Sequence, residues 1–179
     1  NSSASAKTTG AAWEGERGAV NGRPIKFVLD ARAHDAPAGR GETIMRSIVN
    51  IESLPFHVVF AREPMPAFVT SSIFLAGPTP RSADVPSWRP AALEALYRLG
   101  YTGTVFVPEP RDPMGTEEWL AHWAEQIAWE EEALHRADRI VFWVPRAMDT
   151  MPALTTNVEF GAWADSGKAL FGAPPGAAK

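Results

Sequence analysis

Two glutamates in the second half of the chain are the residues best suited to chemistry. Glu159 stands between Val158 and Phe160, and Glu130 follows Trp129 in a long helical stretch. A carboxylate in apolar company needs partners or a purpose, because burying a lone charge is costly. Two carboxylates in one pocket can divide the work of glycosidic chemistry. One attacks the anomeric carbon and forms a sugar–enzyme ester, while the other handles the proton of the leaving group. Each also has a plainer account. Thr156-Asn157-Val158-Glu159 matches a capping box, in which a Thr N-cap and a Glu three residues on satisfy each other's backbone donors, and Glu159 would then be only a helix cap. At a helix N-terminus the dipole would also hold the carboxylate ionised, as a nucleophile requires. Glu130 sits three residues after Ile127 and four before Leu134, which projects it from an apolar stripe formed by Leu120, Trp123, Ile127, Leu134 and Ala137. Alternatively, Glu130 lies at the edge of that stripe and reaches solvent or an arginine.

The elements that must hold these groups alternate between strand and helix. Ile73 to Ala76 reads as a buried strand ending in Gly77-Pro78-Thr79-Pro80, and Ser87 as the N-cap of a helix that Gly100 stops after Leu99. Thr104 to Val107 is the next strand, ending in Pro108-Glu109-Pro110-Arg111. One long helix is expected from Thr116 to about Ala137. Arg139 to Val144 is a third strand, a helix runs from about Asn157 to Ser166, and Ala169 to Phe171 is a short last strand. This alternation implies right-handed crossovers and a parallel α/β sheet flanked by helices. Ligands in such sheets bind beyond the carboxyl ends of the strands. The residues there are Gly77, Pro78, Thr79 and Arg81, then Glu109 and Arg111, then Arg146, then Asn157 and Glu159. Polar loop residues are common, so no one of these is decisive alone.

Upstream, residues 1–23 read as a flexible leader rich in Ser, Ala, Gly and Thr. Residues 24–70 read as a small strand–helix–strand extension, with strands at Ile25–Leu29 and Phe56–Phe60, a Pro/Gly loop at 36–41 and a helix over 42–54. Residues 71–179 form the catalytic domain on this reading.

Composition narrows the classes. The 179-residue chain carries a net charge of −4 with its 17 basic residues scattered, so no basic stripe for a nucleic-acid polymer is present. With no cysteine, disulfides, thiolate nucleophiles and zinc–sulfur sites are excluded. No apolar run approaches the ~20 residues of a membrane helix, and a soluble cytoplasmic protein is expected. The sequence contains no HExxH, no Walker A loop and no GxGxxG, so neither a metal nor a dinucleotide cofactor is implied. The four histidines are weak candidates: His34 and His57 lie in the extension, and His122 and His135 lie off the helical stripe.

Several segments occur in an informative order: Ile73-Phe74-Leu75-Ala76-Gly77-Pro78, Ser87-Trp88-Arg89, Val105-Phe106-Val107-Pro108-Glu109, Trp129-Glu130, Ala137-Asp138-Arg139-Ile140-Val141-Phe142-Trp143 and Thr156-Asn157-Val158-Glu159-Phe160-Gly161. Together they resemble the nucleoside 2-deoxyribosyltransferase-like family over about residues 71–175. The resemblance implies a flavodoxin-like or Rossmann-like fold without a cofactor. It implies cleavage or exchange of the N-glycosidic bond of (deoxy)nucleosides or nucleoside monophosphates through a covalent glycosyl–Glu159 intermediate. Glu130 would assist as the acidic residue upstream of the ADRIV strand, and Gly77 would shape the substrate loop. Pro78, Thr79, Arg81, Trp88, Glu109, Arg111 and Asn157 complete the expected substrate site, and a homodimer or higher homo-oligomer is expected.

The arginines bear on the substrate. Arg81, Arg111 and Arg146 follow strand ends and Arg89 begins a helix, and the guanidinium suits bidentate phosphate contact. The competing account pairs them with Glu109, Asp112 or Asp84. Two other functions stand beside the enzyme: a nucleotide-sensing module that binds without turnover, and an interaction domain in which Glu159 is only a cap.

Overall fold

The computed structural model describes residues 19–20, 23–24, 50–81, 84–112 and 116–178. The chain divides into two compact units, residues 1–35 and 36–179. In the first, Ala19–Val20 pairs antiparallel with Arg23–Pro24. The strand expected at 25–29, the loop at 36–41 and most of the helix expected over 42–54 lie outside the described residues. At the end of that expected helix, Ile51–Ser53 forms one 3-10 turn, whose Asn50 side chain accepts from the Glu52 N–H.

The second unit is built on a five-stranded, wholly parallel sheet. Its strands are β1 (His57–Phe60), β2 (Ser72–Ala76), β3 (Thr104–Val107), β4 (Arg139–Trp143) and β5 (Ala169–Gly172), in the order β1-β3-β2-β4-β5. The central strands β2 and β3 are buried at every residue, which is why they read as unbroken apolar runs rather than alternating ones. β1, placed by the sequence in the extension, is an edge strand of this same sheet and pairs residue for residue with β3. The reason lies in its composition: Val58, Val59 and Phe60 are 4%, 1% and 7% exposed, and such a segment needs both a ladder partner and cover on its faces.

Among the described residues four α-helices flank the sheet: α1 (Arg89–Arg98), α2 (Thr116–Ala121), α3 (Trp123–Arg136) and α4 (Leu154–Trp163). The single helix expected from Thr116 onward is two, because His122 leaves helical geometry at φ −106° and ψ 15°. α3 buries Gln126, Trp129 and Ala133, and of the expected stripe only Leu134 and Ala137 pack against the core. Leu120, Trp123 and Ile127 are 63%, 47% and 46% exposed. Both stripes obey helical spacing, and the sheet selects the one whose Trp129 ring meets Phe74 and Phe106 at 6.5 and 6.3 Å while small Ala133 admits close approach. Trp129 Nε1 also donates to the Glu63 carbonyl at 2.9 Å, tying α3 to the turn after β1.

α4 starts three residues earlier than the sequence suggested, after Ala153 in a left-handed conformation with φ 58°. Thr156 is therefore a buried helical residue and not an N-cap, so the capping box does not form. Phe160 anchors α4 by ring contacts to Phe142 and Phe171 at 5.2 and 5.1 Å.

The chain winds from β2 outward to β3 and then back across β2 to β4. The winding direction reverses between β2 and β4, and open α/β sheets present their ligand crevice at the carboxyl ends of such a pair.

Candidate functional site

The loop after β2 opens on Gly77, at φ +150°. A Cβ there would lie 2.2 Å from the Trp143 carbonyl oxygen and 2.8 Å from Trp88 Cζ2, so only glycine lets this loop pass the end of β4. The carbonyl of buried Pro78 accepts a hydrogen bond from Trp88 Nε1 at 3.1 Å. Trp88 itself is 5% exposed, which makes it a support for the loop rather than an open stacking platform.

Arg89, the first residue of α1, is 2% exposed. Its guanidinium is an organising centre. Nε donates to the Leu75 carbonyl at 3.2 Å, Nη1 to Thr79 Oγ1 at 3.2 Å and to Glu109 Oε1 at 2.6 Å, and Nη2 to the Gly77 carbonyl at 2.8 Å. Glu109, just beyond β3, also accepts from Ser87 Oγ, at 3.0 Å to Oε1 and 2.9 Å to Oε2. A buried charge is tolerable only when paired and hydrogen-bonded, and Arg89 meets both conditions. Ser87 still works at the helix start, since its Oγ accepts from the Arg89 N–H at 3.2 Å.

Glu130 lies one helical turn beyond Gln126, whose Nε2 donates to Glu130 Oε1 at 2.6 Å. Burial pushes the Glu130 carboxyl above the usual carboxylate range, against the Gln126 hydrogen bond and the charge of Arg89. Glu159, the sixth residue of α4, is also pushed up, first by burial and then by the negative charge of Glu130, with Arg89 opposing both. A position in the second helical turn gives little help from the dipole, which acts over the first turn. The expected stabilisation of an ionised Glu159 by a helix start is therefore absent: the Arg89 charge favours ionisation, and burial with the Glu130 charge outweighs it. The chemical consequence is a pair of electrostatically coupled acids, held by different helices, with one fixed cation.

Hydrogen bonds from Trp88 and Arg89 therefore connect Gly77, Pro78, Thr79 and Glu109, and the Arg89 charge acts on Glu130 and Glu159. Other expected residues have contacts of their own. Arg111 pairs with Glu63 at 2.7 Å and lies over the Phe60 ring, a partner none of the sequence alternatives contained. Asn157 accepts from Arg146 Nη2. Arg81 is exposed, and its backbone N–H donates to the Thr150 carbonyl at 3.1 Å. Of the pairings expected for the arginines, Arg89 with Glu109 is present. Ser87 and Gln126 were not among the expected site residues. The four-residue spacing of Gln126 and Glu130 was a usable signal, whereas nothing local marked the Ser87–Glu109 contact.

A groove of about 370 Å³ beside α3 is lined by Arg62, Glu63, Glu125, Trp129 and Glu132, and neither Glu130 nor Glu159 lines it. Among the described residues no group of three or more His, Asp or Glu could hold a metal ion, and no helix is long and apolar enough to cross a membrane.

The model of the family described as "Nucleoside 2-deoxyribosyltransferase like" matches residues 70–177. No curated protein matches the chain.

Proposed function

The chain belongs to the nucleoside 2-deoxyribosyltransferase-like family, and from that premise we propose that it cleaves or transfers the N-glycosidic bond of a (deoxy)nucleoside or nucleoside monophosphate, with Glu159 as nucleophile and Glu130 as proton carrier. The observation that carries the reading is the family match over residues 70–177; the charges of Glu130 and Arg89 acting on Glu159 are consistent with it. In the first step a Glu159 carboxylate oxygen attacks the anomeric carbon as the bond to the base nitrogen breaks. The electron pair leaves with the base, and Glu130 in its protonated form, which burial favours, delivers its proton to the base nitrogen. In the second step Glu130, now a carboxylate, takes a proton from water or from an incoming base. That nucleophile attacks the anomeric carbon and frees Glu159. Water gives hydrolysis and a base gives transfer, and the roles of the two acids are the same in both.

The test is a 2-fluorinated nucleoside or nucleotide, which slows release of the sugar ester. Mass spectrometry should find the sugar on the peptide that contains Glu159. A Glu159→Ala variant with full activity defeats the assignment. Tight nucleotide binding with no base release over hours would favour the sensing module instead.

A further inference from the structure

The reaction above transfers no proton and no bond at Arg89, yet Arg89 is the most deeply placed charge among the described residues. A buried ion pair is often replaceable by apolar side chains without loss of stability. Stability alone is therefore a weak reason for a guanidinium here. Its contacts suggest another. They join the end of β2, two points of the following loop, and Glu109 beyond β3, through donors fixed in one plane. Its charge also acts on Glu130 from α3 and on Glu159 from α4.

We propose that Arg89 is the positioning residue of this site: ion-paired to Glu109, its guanidinium grips the Gly77 carbonyl and the Thr79 hydroxyl to fix the loop after β2, and presents a constant positive charge to Glu130 and Glu159. The two tasks are separable. The planar fork holds the loop, which a point charge on a lysine cannot do. The charge favours the ionised form of Glu159, against the charge of Glu130, and any cation in that place would serve. The proposal rests on the catalytic reading for its consequences in turnover, but its electrostatic part concerns the free protein.

The experiment labels glutamate side chains with carbon-13 and follows the Glu159 carboxyl by NMR titration without substrate, in the wild type, Arg89→Lys, Arg89→Gln and Glu109→Gln. Arg89→Gln should raise the Glu159 midpoint by about 1 pH unit or more, the scale of losing a close opposite charge. Arg89→Lys should leave it within a few tenths of a unit. Glu109→Gln should lower it, because the guanidinium then acts unopposed by Glu109. In turnover, the acid limb of the pH–rate profile should move up in Arg89→Gln. Arg89→Lys should raise KM about tenfold while kcat stays within threefold. A Glu159 midpoint unmoved in both Arg89→Gln and Glu109→Gln overturns the proposal, whatever happens to activity. If Arg89→Gln does not fold, Glu109→Gln decides the sign alone. A wild type that turns over no nucleoside or nucleotide defeats the catalytic reading, and the titration still judges Arg89.

Discussion

Replacing Gly77 by alanine tests whether the loop after β2 needs glycine for room as well as for conformation. The backbone there has φ +150°, and an added Cβ would lie 2.2 Å from the Trp143 carbonyl oxygen and 2.8 Å from Trp88 Cζ2. The first neighbour is backbone at the end of β4. The second belongs to a ring that is 5% exposed and tied through Nε1 to the Pro78 carbonyl. Neither is the free end of a flexible side chain, so relief requires the loop to lift away from β4 or the Trp88 ring to leave its place. A strained backbone residue costs about 1–3 kcal/mol, and overpacking a filled site typically adds about 1–3 kcal/mol. The expected loss is thus about 2–6 kcal/mol, a large part of the ~5–15 kcal/mol that holds a typical domain together. Gly100 is the control. It has φ +70° and nothing within 4 Å of an added Cβ, so alanine there meets only the left-handed penalty of about 1–2 kcal/mol. Urea unfolding of the wild type and both variants gives the two losses directly. At about 2–4 °C per kcal/mol, thermal midpoints give a second reading. Equal losses for Gly77→Ala and Gly100→Ala would refute the close-approach argument.

The pH dependence of stability has a definite sign. The Glu130 and Glu159 carboxyls are both raised in the folded protein, so the unfolded chain releases these protons at lower pH than the folded one. Each acid therefore withdraws stability as pH rises from its ordinary value of 4.5 toward the raised folded value, above which the penalty is complete. Glu130→Gln and Glu159→Gln should raise the melting temperature at pH 7, with the gain closing below pH 4.5, while both lose activity. A lower melting temperature at pH 7 for both variants would contradict the assignment of burial as the cause. For the substrate, Arg81 carries the test that Arg111, engaged by Glu63, no longer can. A charge-assisted hydrogen bond to phosphate contributes about 1.5–3 kcal/mol, so Arg81→Ala should lower kcat/KM about ten- to a hundredfold on a nucleoside monophosphate and little on the free nucleoside. Equal losses on the two substrates would remove the phosphate from the reading.

Much of this fold is legible locally. Ser72–Ala76 and Thr104–Val107 are strands buried on both faces, and such strands advertise themselves as continuous apolar runs without reference to the rest of the chain. Alternation with helices then requires a parallel sheet, and a parallel sheet places the residues after each strand along one edge. That is why Gly77, Glu109 and Glu159 fall together on the sequence alone, while Glu130 is marked by its place on a helical stripe. What stayed hidden were choices between equally periodic alternatives and contacts without local signature. Trp123 and Ile127 are as helical in spacing as Trp129 and Ala133, and only the surface of β2, β3 and β4 decides which set is covered. The start of α4 depends on Ala153 adopting a left-handed conformation, which its side chain does not favour and the fold imposes. The β1 segment joins the sheet through β3, nearly fifty residues away in sequence. Arg89 is ordinary in sequence and central in structure for the same reason. Its partners come from the ends of two strands and its charge reaches two further helices. The chain's local pattern determined which residues reach the carboxyl edge of the sheet. Packing between distant segments decided that the charge of buried Arg89 acts on both Glu130 and Glu159.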